Sequence, residues 1–347
     1  MSTVKAVMVV KALITGGAGF IGSTVASACL DAGITPVVLD DLSTGRAEFV
    51  TDRYFYRGDV GDGELLDRVF AEHPDIDAVV HCAAKVVVPE SVARPLDYYR
   101  NNVARLVELV DRLRRHGCPR FVFSSSASIY LPGPDLVVDE DSAGDPQSPY
   151  AATKAMAERI LADTAAAGDL RVLSLRYFNP IGADPRLRTG LQTARPSHAL
   201  GKLIQAYEDG EPFTITGLDW PTRDGTGIRD YIHVWDLALA HVRALQRFDA
   251  LLPSAGHEVI NLGTGTGTTV RELVDAFGAA VGGKLSVREA PPRPGDVVGC
   301  YTRTDKAERL LGWTAAKSLR EGVLDSLAWA RRRPEVLPAE QAPMFVE

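Results

Sequence analysis

Three side chains have the chemistry to take a proton from an alcohol and return it. They are Ser126, at the end of the run Phe123-Ser124-Ser125-Ser126, and Tyr150 and Lys154 in Tyr150-Ala151-Ala152-Thr153-Lys154. A phenol and an ammonium four residues apart share one face of a helix. An ordinary phenol ionises near ~10, so service near neutrality asks for ~3 units, about 4 kcal/mol of preference for the phenolate. Two nearby positive charges, Lys154 and an oxidised nicotinamide, can each supply ~1 to 3 units. Ser126 then shares the proton and orients the reacting hydroxyl. Such a Tyr/Lys pair alone is common on helix surfaces; what gives it chemical meaning is a serine strand end before it and a nucleotide loop further upstream.

That loop is Thr15-Gly16-Gly17-Ala18-Gly19-Phe20-Ile21-Gly22, which follows the apolar run ALIT and precedes the helix pattern STVASACLDAG. Gly16, Gly19 and Gly22 provide a tight turn, a bare backbone for a pyrophosphate and close helix-to-sheet packing, with the helix N-terminus facing the anion. The next apolar run, PVVL, ends in Asp40, about 20 residues on, where a carboxylate bonds ribose hydroxyls and repels a 2'-phosphate. The expected cofactor is therefore NAD, not NADP. A third run is followed by Gly58-Asp59-Val60, which sets Asp59 near an adenine amine. A second strand, glycine loop and helix pattern occurs at VINL-Gly263-Thr264-Gly265-Thr266-Gly267-TTVRELVDAF. Too little chain follows it for another dinucleotide fold, so a structural turn is expected there.

The elements that position these groups follow from periodicity. Short β-branched runs (ALIT, PVVL, YFY, AVVH, RFVFS, RVLSLR) alternate with helix-length segments, the pattern of βαβ units. The fold class is α/β: a doubly wound parallel sheet of Rossmann type, with a smaller α/β C-terminal substrate domain. The stretch PLDYYRNNVARLVELVDRLRRHG reads as a helix with Val103, Leu106, Val107, Val110 and Leu113 on one face and Gly117 as its stop. After Asn179 the pattern loosens into Pro- and Gly-rich loops, and GLDWPTRDGTGIRDYIH reads as loop. VWDLALAHVRALQRF and VINL then return to helix and strand. Residues 1–178 plus about 232–264 are thus expected to form the NAD-binding domain, and 179–231 plus about 265–347 the substrate domain. No internal repeat or low-complexity segment interrupts the pattern.

Composition removes other classes. The chain's 46% hydrophobic and 24% charged residues suit a folded core, and no stretch approaches a membrane span. Lys plus Arg number 38 against 45 Asp plus Glu, a formal net charge of -7, which gives no global field for nucleic acid. The four cysteines, Cys29, Cys82, Cys118 and Cys300, form no C-x-x-C pair, so neither a zinc site nor a disulfide framework is expected and a reducing cytoplasm fits. Lys11 interrupts the N-terminal apolar run, and no targeting segment is read there.

ITGGAGFIGS, LDDLSTG, GDV, FSSSASIY and SPYAATK resemble the extended short-chain dehydrogenase/reductase family. RYFNPIGA, DGTGIRDYIHVWDLA and RPGDVVGCYTRTDKAERLLGW are similar to its UDP-sugar 4-epimerase branch, and the likeness runs from about Ala12 to Trp329. The resemblance implies an isomerase of carbohydrate metabolism that interconverts UDP-glucose and UDP-galactose through a bound 4-keto sugar, holding NAD throughout. Dehydratases and decarboxylases of the family place an acid after the strand-end Ser or Thr; here Ala127 stands there. The resemblance adds Phe20, Ile21, Asp41, Val60, Ala83, Asn101, Lys154 and Tyr177 to the expected cofactor contacts. It implies that Ser126, Tyr150, Asn179, Arg229, Arg293 and Cys300 meet the substrate, the two arginines on its diphosphate. Tyr177 and Phe178 read equally well as plain core aromatics.

Cys300 stands where some relatives carry a tyrosine that closes the sugar pocket. A small residue there leaves room for a 2-acetamido group, which adds UDP-GlcNAc and UDP-GalNAc to the expected substrates; a slip of one residue would put Tyr301 in that place and reverse the expectation. A buried cysteine is also a common small core residue. The chain departs from the family pattern at Lys85, one place before the usual lysine, at Ser197-His198 in place of an asparagine pair, and at Leu131 in place of a glycine. A homodimer paired through the helices around Asp97 to Arg115 and Tyr150 to Ala166 is also implied. Two other readings stand: an epimerase of a UDP-uronate or UDP-pentose, and an NAD-binding regulator without turnover.

Overall fold

The computed structural model describes residues 11–193, 196, 198–292 and 296–338. Seven parallel strands form the central sheet: β1 (Lys11–Thr15), β2 (Thr35–Asp40), β3 (Tyr54–Arg57), β4 (Ala78–His81), β5 (Arg120–Ser126), β6 (Arg171–Tyr177) and β7 (Gly256–Leu262). Their spatial order is β3-β2-β1-β4-β5-β6-β7. The order reverses between β1 and β4, where doubly wound sheets open a crevice at the carboxyl ends of their strands. The strands β1, β2, β4, β5 and β6 send alternate side chains into two buried layers, which is why their runs read as largely apolar. Ile14, Val38, Val80, Val122 and Leu173 face one core; Leu13, Val37, Val79, Phe121 and Val172 face the other.

The first core is closed by α1 (Phe20–Asp31) and by the helix Val234–Leu251, and Ala307, Leu311 and Trp313 join it. The second is closed by α2 (Gly63–Glu72), α3 (Arg105–Arg115) and α4 (Pro149–Ala166). Ser148 caps α4 by accepting from Ala151 N at 3.2 Å, and Pro149 fills its first turn, where no amide donor is needed. A separate, smaller core gathers Ile181, Leu203, Phe213, Tyr231, Phe277 and Val323.

Two expectations about local structure are corrected. The helix ending at Gly117 buries Leu106, Leu109, Val110 and Leu113 and leaves Val107 44% exposed. A π-turn at Arg100–Ala104 inserts an extra residue and rotates the later face out of phase with Val103. Within GLDWPTRDGTGIRDYIH, expected as loop, Ile228–Arg229 pairs antiparallel with Thr268–Thr269, and Tyr231–His233 pairs parallel with Asn179–Ile181. These strands are too short to show a period in the sequence.

Phe121 is fully buried in the second core and packs near His81, the ring centroids 5.8 Å apart. Phe121→Ala is expected to cost about 3–5 kcal/mol of stability by leaving a cavity between sheet and helices. The urea midpoint measures it; a midpoint equal to the parent's would contradict the core assignment.

Candidate active site

The glycine turn joins β1 to α1 at the carboxyl edge of the sheet. Gly16 has φ +69, and a Cβ on it would lie 2.6 Å from Ala83 N; one on Gly22 would lie 2.2 Å from Gly16 O. Only glycine allows both the turn and the approach. α2 is capped by Asp62, whereas α1 begins at Gly19 with no side-chain cap and no acidic residue in its first turn. Its N-terminal donors, beside Phe20, Ile21 and Gly22, are left for an anion from outside the chain.

Asp40 ends β2 and is 8% exposed. Its two oxygens accept from Ala18 N at 3.0 Å and Leu42 N at 2.8 Å, so the carboxylate ties the glycine turn to the loop after β2. Burial raises its pKa above the usual carboxylate value, with both backbone donors opposing. Each oxygen keeps a second lone pair for a ribose hydroxyl. Asp41 caps Ser43 N at 2.8 Å and is exposed. Asp59 pairs with Arg105 at 2.5 Å and accepts from Gly61 N at 2.8 Å, and Arg105 also donates to Asn101. Asp59 and Asn101 are therefore joined through a cation that the sequence reading did not name. Val60 packs against the second core and Ala83 faces the glycine turn. The bare turn, the uncapped helix and the carboxylate at β2 fit a dinucleotide.

Across the crevice, β5 delivers the serines. Ser126 is 9% exposed and its Oγ lies 2.9 Å from Ser128 Oγ. Tyr150 is also 9% exposed, and Ser126 is near enough to act on its phenol. Lys154 is 4% exposed; its Nζ donates to Ser124 O at 2.7 Å and sits 4.7 Å from the centre of the Phe123 ring. The sequence reading expects Lys154 to hold the phenol down. In the structure burial raises the phenol's pKa, with Ser126 opposing. The ammonium is committed to a strand carbonyl and an aromatic face and is not among the groups acting on it.

Ser124 was not singled out from the sequence, yet it organises the floor of the site. Its carbonyl holds Lys154, and its Oγ lies 3.1 Å from Cys82 Sγ and 3.3 Å from His241 Nε2. Burial pushes the Tyr177 pKa well up, with Ser124 opposing. The signal was present: in a strand, Ser124 and Ser126 share a face while Ser125 points away, and Ser125 indeed meets Glu158 at 2.5 Å. Asn102 went unnoticed because a π-turn leaves no periodic trace. It holds both backbone polar groups of Lys85 at 2.9 Å and donates to Thr153 at 3.0 Å, linking the cofactor-side loop to α4. The Lys85 side chain itself pairs with Glu90 at 3.6 Å.

Three further expected substrate contacts, Asn179, Arg229 and Cys300, lie at the short strands outside the central sheet. Asn179 starts its short strand. Arg229 donates to Ile228 O at 2.7 Å, Val298 O at 2.8 Å and Val297 O at 3.1 Å, so its guanidinium braces the loop that leads to Cys300. Arg293 lies outside the described residues, as does Ser197. Cys300 packs with Ala127, Tyr130, Val138 and Phe178, beside Ser126, while Tyr301 turns the other way, over Gly267 and Ile228. Burial lifts the Cys300 thiol to about 11, so it stays protonated. Phe178 belongs to this wall. His198 caps its own helix by accepting from Gly201 N at 3.2 Å, and its buried Nε2 has no hydrogen-bond partner among the described residues.

The NAD dependent epimerase/dehydratase family matches residues 12–263 of this chain. The UDP-glucose 4-epimerase of Azospirillum brasilense is 43% identical over 336 residues, 96% of this chain and 95% of that one. Among solved structures, the Stenotrophomonas maltophila UDP-glucose-4-epimerase, with bound NAD and formylated UDP-arabinopyranose, aligns with TM-score 0.89 and 36% identity over 95% of this chain and 99% of its own. The UDP-Glc/GlcNAc 4-epimerase of Campylobacter jejuni aligns with TM-score 0.78 and 33% identity over 93% and 99%.

Burial lowers the Lys154 pKa from 10.5 to about 8, with Cys82 and Glu158 opposing. Above about pH 8 the folded lysine has released its proton while the unfolded chain, ionising near 10.5, still binds one. The unfolded state then holds more protons, so this group's contribution to stability rises with pH between those values. Lys154→Met is expected to flatten that rise when urea midpoints are compared at about pH 8 and about pH 10. An equal rise in parent and variant would contradict the buried-ammonium assignment.

Proposed function

The chain belongs to the NAD dependent epimerase/dehydratase family, and we propose that it interconverts UDP-glucose and UDP-galactose by inverting carbon 4, as an NAD-dependent isomerase. The observation that carries this reading is the buried Tyr150–Ser126 pair, set at the carboxyl edge of the sheet across from a glycine cradle that a Cβ would fill. When bound, NAD supplies a pyridinium ring that exchanges hydride with the sugar carbon and whose positive charge favours the phenolate of a neighbouring tyrosine.

The chain's own groups do the rest. Tyr150 Oη takes the proton of the sugar hydroxyl and later returns it, and Ser126 Oγ shares that proton and orients the oxygen. Lys154 locks α4 to β5 through the Ser124 carbonyl and so fixes the phenol's position. Gly16, Gly19, Phe20, Ile21 and Gly22 cradle the pyrophosphate. Asp40 and Asp41 serve the ribose side, Asp59 and Val60 the adenine side, and Ala83, Asn101 and Tyr177 the rest of the dinucleotide. Asn179, Arg229 and Arg293 hold the UDP part. A bound 4-keto sugar must present both faces in turn, so binding free energy belongs on the nucleotide and not on the hexose. Ala127 follows Ser126, which leaves no acid at that place to drive elimination.

Acceptance of the 2-acetamido sugars is part of the proposal, supported by Cys300 on the wall beside Ser126 and by Tyr301 facing elsewhere. So is a homodimer: Val92, Leu96, Val107 and Met156 are 59%, 63%, 44% and 45% exposed on or beside the helices expected to pair. We propose a cytoplasmic site of action, supported by four free cysteines; among the described residues no helix is long and apolar enough to cross a membrane. The two-domain division is proposed at the boundaries given above, with the helix Asp305–Leu311 leaning on the cofactor side.

Tyr150→Phe is expected to cost about 10²–10⁴ in kcat for UDP-galactose. A variant as fast as the parent would remove Tyr150 from the reaction. Cys300→Tyr is expected to abolish turnover of UDP-GalNAc while sparing UDP-galactose, and unchanged turnover of the acetamido sugar would remove the gate.

A further inference from the structure

The second glycine loop, Gly263-Thr264-Gly265, presents its amides to an anion, and the anion is the chain's own. Asp230, fully buried, accepts from Thr264 N at 2.8 Å, Thr264 Oγ1 at 2.7 Å, Gly265 N at 3.2 Å and Thr302 N at 3.4 Å. A Cβ on Gly263 would lie 2.5 Å from both Asp230 Oδ2 and Thr302 Cγ2, so the loop closes on the carboxylate only because that position is bare. A carboxylate wrapped in this way is fixed within its site, since every lost donor would leave buried charge unsatisfied.

Three of the proposed substrate contacts hang from this one residue. Asp230 O accepts from Asn179 N at 3.0 Å. Arg229 is its chain neighbour, and braces the carbonyls of Val297 and Val298. Thr302 sits two residues after Cys300 on the strand that pairs with Val137–Val138. Thr302 is also held from the far side: Asn261 Nδ2 donates to its Oγ1 at 3.0 Å, Asn261 Oδ1 accepts from Tyr130 at 2.7 Å, and Tyr130 accepts from Arg176 at 2.8 Å. The chain of bonds ends at Glu158, paired with Arg176 and with Ser125.

We propose that Asp230 is a positioning residue for the nucleotide sugar: it sets Asn179, Arg229 and Cys300 at one mutual geometry and thereby governs UDP affinity, while leaving proton transfer to Tyr150 untouched. This rests on the function proposed above. Among the described residues the Asp230 carboxylate bonds Thr264, Gly265 and Thr302 and none of the catalytic trio Ser126, Tyr150 and Lys154, so its loss acts on binding before chemistry. In Asp230→Asn the carboxamide offers one acceptor and one donor to an array of donors, and half of the array is left facing N–H.

The test measures UDP affinity by calorimetry together with KM and kcat for UDP-galactose. For Asp230→Asn the UDP dissociation constant and KM are expected to rise about tenfold, with kcat within about threefold of the parent and NAD content unchanged. Thr264→Val, which removes one donor and keeps the fold, is expected to move both binding constants the same way, and Thr264→Ser to restore them. UDP affinity equal to the parent's in Asp230→Asn, or in Thr264→Val should the first variant not fold, would overturn the proposal, as would a fall in kcat with KM unmoved. A parent that binds UDP but does not epimerise would sink the epimerase reading alone, and the variants' UDP affinity would still decide this one.

Discussion

Burial of the Tyr150 phenol is the constraint around which the site is built. In a tyrosine only 9% exposed, with its pKa raised by desolvation, the phenol keeps its proton until something favours the phenolate. Lys154 is held by the Ser124 carbonyl and the Phe123 ring, and burial outweighs its charge in setting the direction of the phenol's shift. The consequence is a tyrosine whose basicity depends on cofactor charge and substrate hydrogen bonding. Lys154 becomes the bolt that holds α4 against β5, and its own ammonium bears a desolvation penalty for that role.

The fold uses one device twice. At the β1–α1 turn, a glycine loop and an uncapped helix leave amides for an anion brought from outside. After β7, a glycine loop of similar composition encloses the Asp230 carboxylate, and the following helix caps itself with a Thr269–Glu272 capping box. The first loop is open to a ligand; the second is closed by the chain and fastens the wall that carries Arg229 and Cys300. Composition alone does not separate the two. The difference lies in whether a carboxylate from elsewhere in the chain arrives at the amides.

Much of this was legible before any coordinates. The inner strands were readable because parallel strands buried on both faces are largely apolar, and Ser148-Pro149 announced α4. Gly16 and Gly22 were legible because a tight turn against neighbouring backbone leaves glycine no substitute. Three features were not. The π-turn at Arg100–Ala104 shifts helix phase without changing composition, so Val107 was placed on the wrong face and Asn102 was missed. The direction in which Lys154 points depends on a carbonyl on β5, two strands from β1 in space and 30 residues from Lys154 in sequence. The partner of Gly263-Thr264-Gly265 is Asp230, which lies between two strands too short to show a period.

The most direct test is the ionisation of Tyr150 itself, read as the ultraviolet difference between parent and Tyr150→Phe across a pH titration, with and without NAD. If desolvation governs the phenol, it ionises above 10 in NAD-free protein and moves down when the cofactor is added. Ionisation well below 10 without NAD would contradict this and return the task to Lys154.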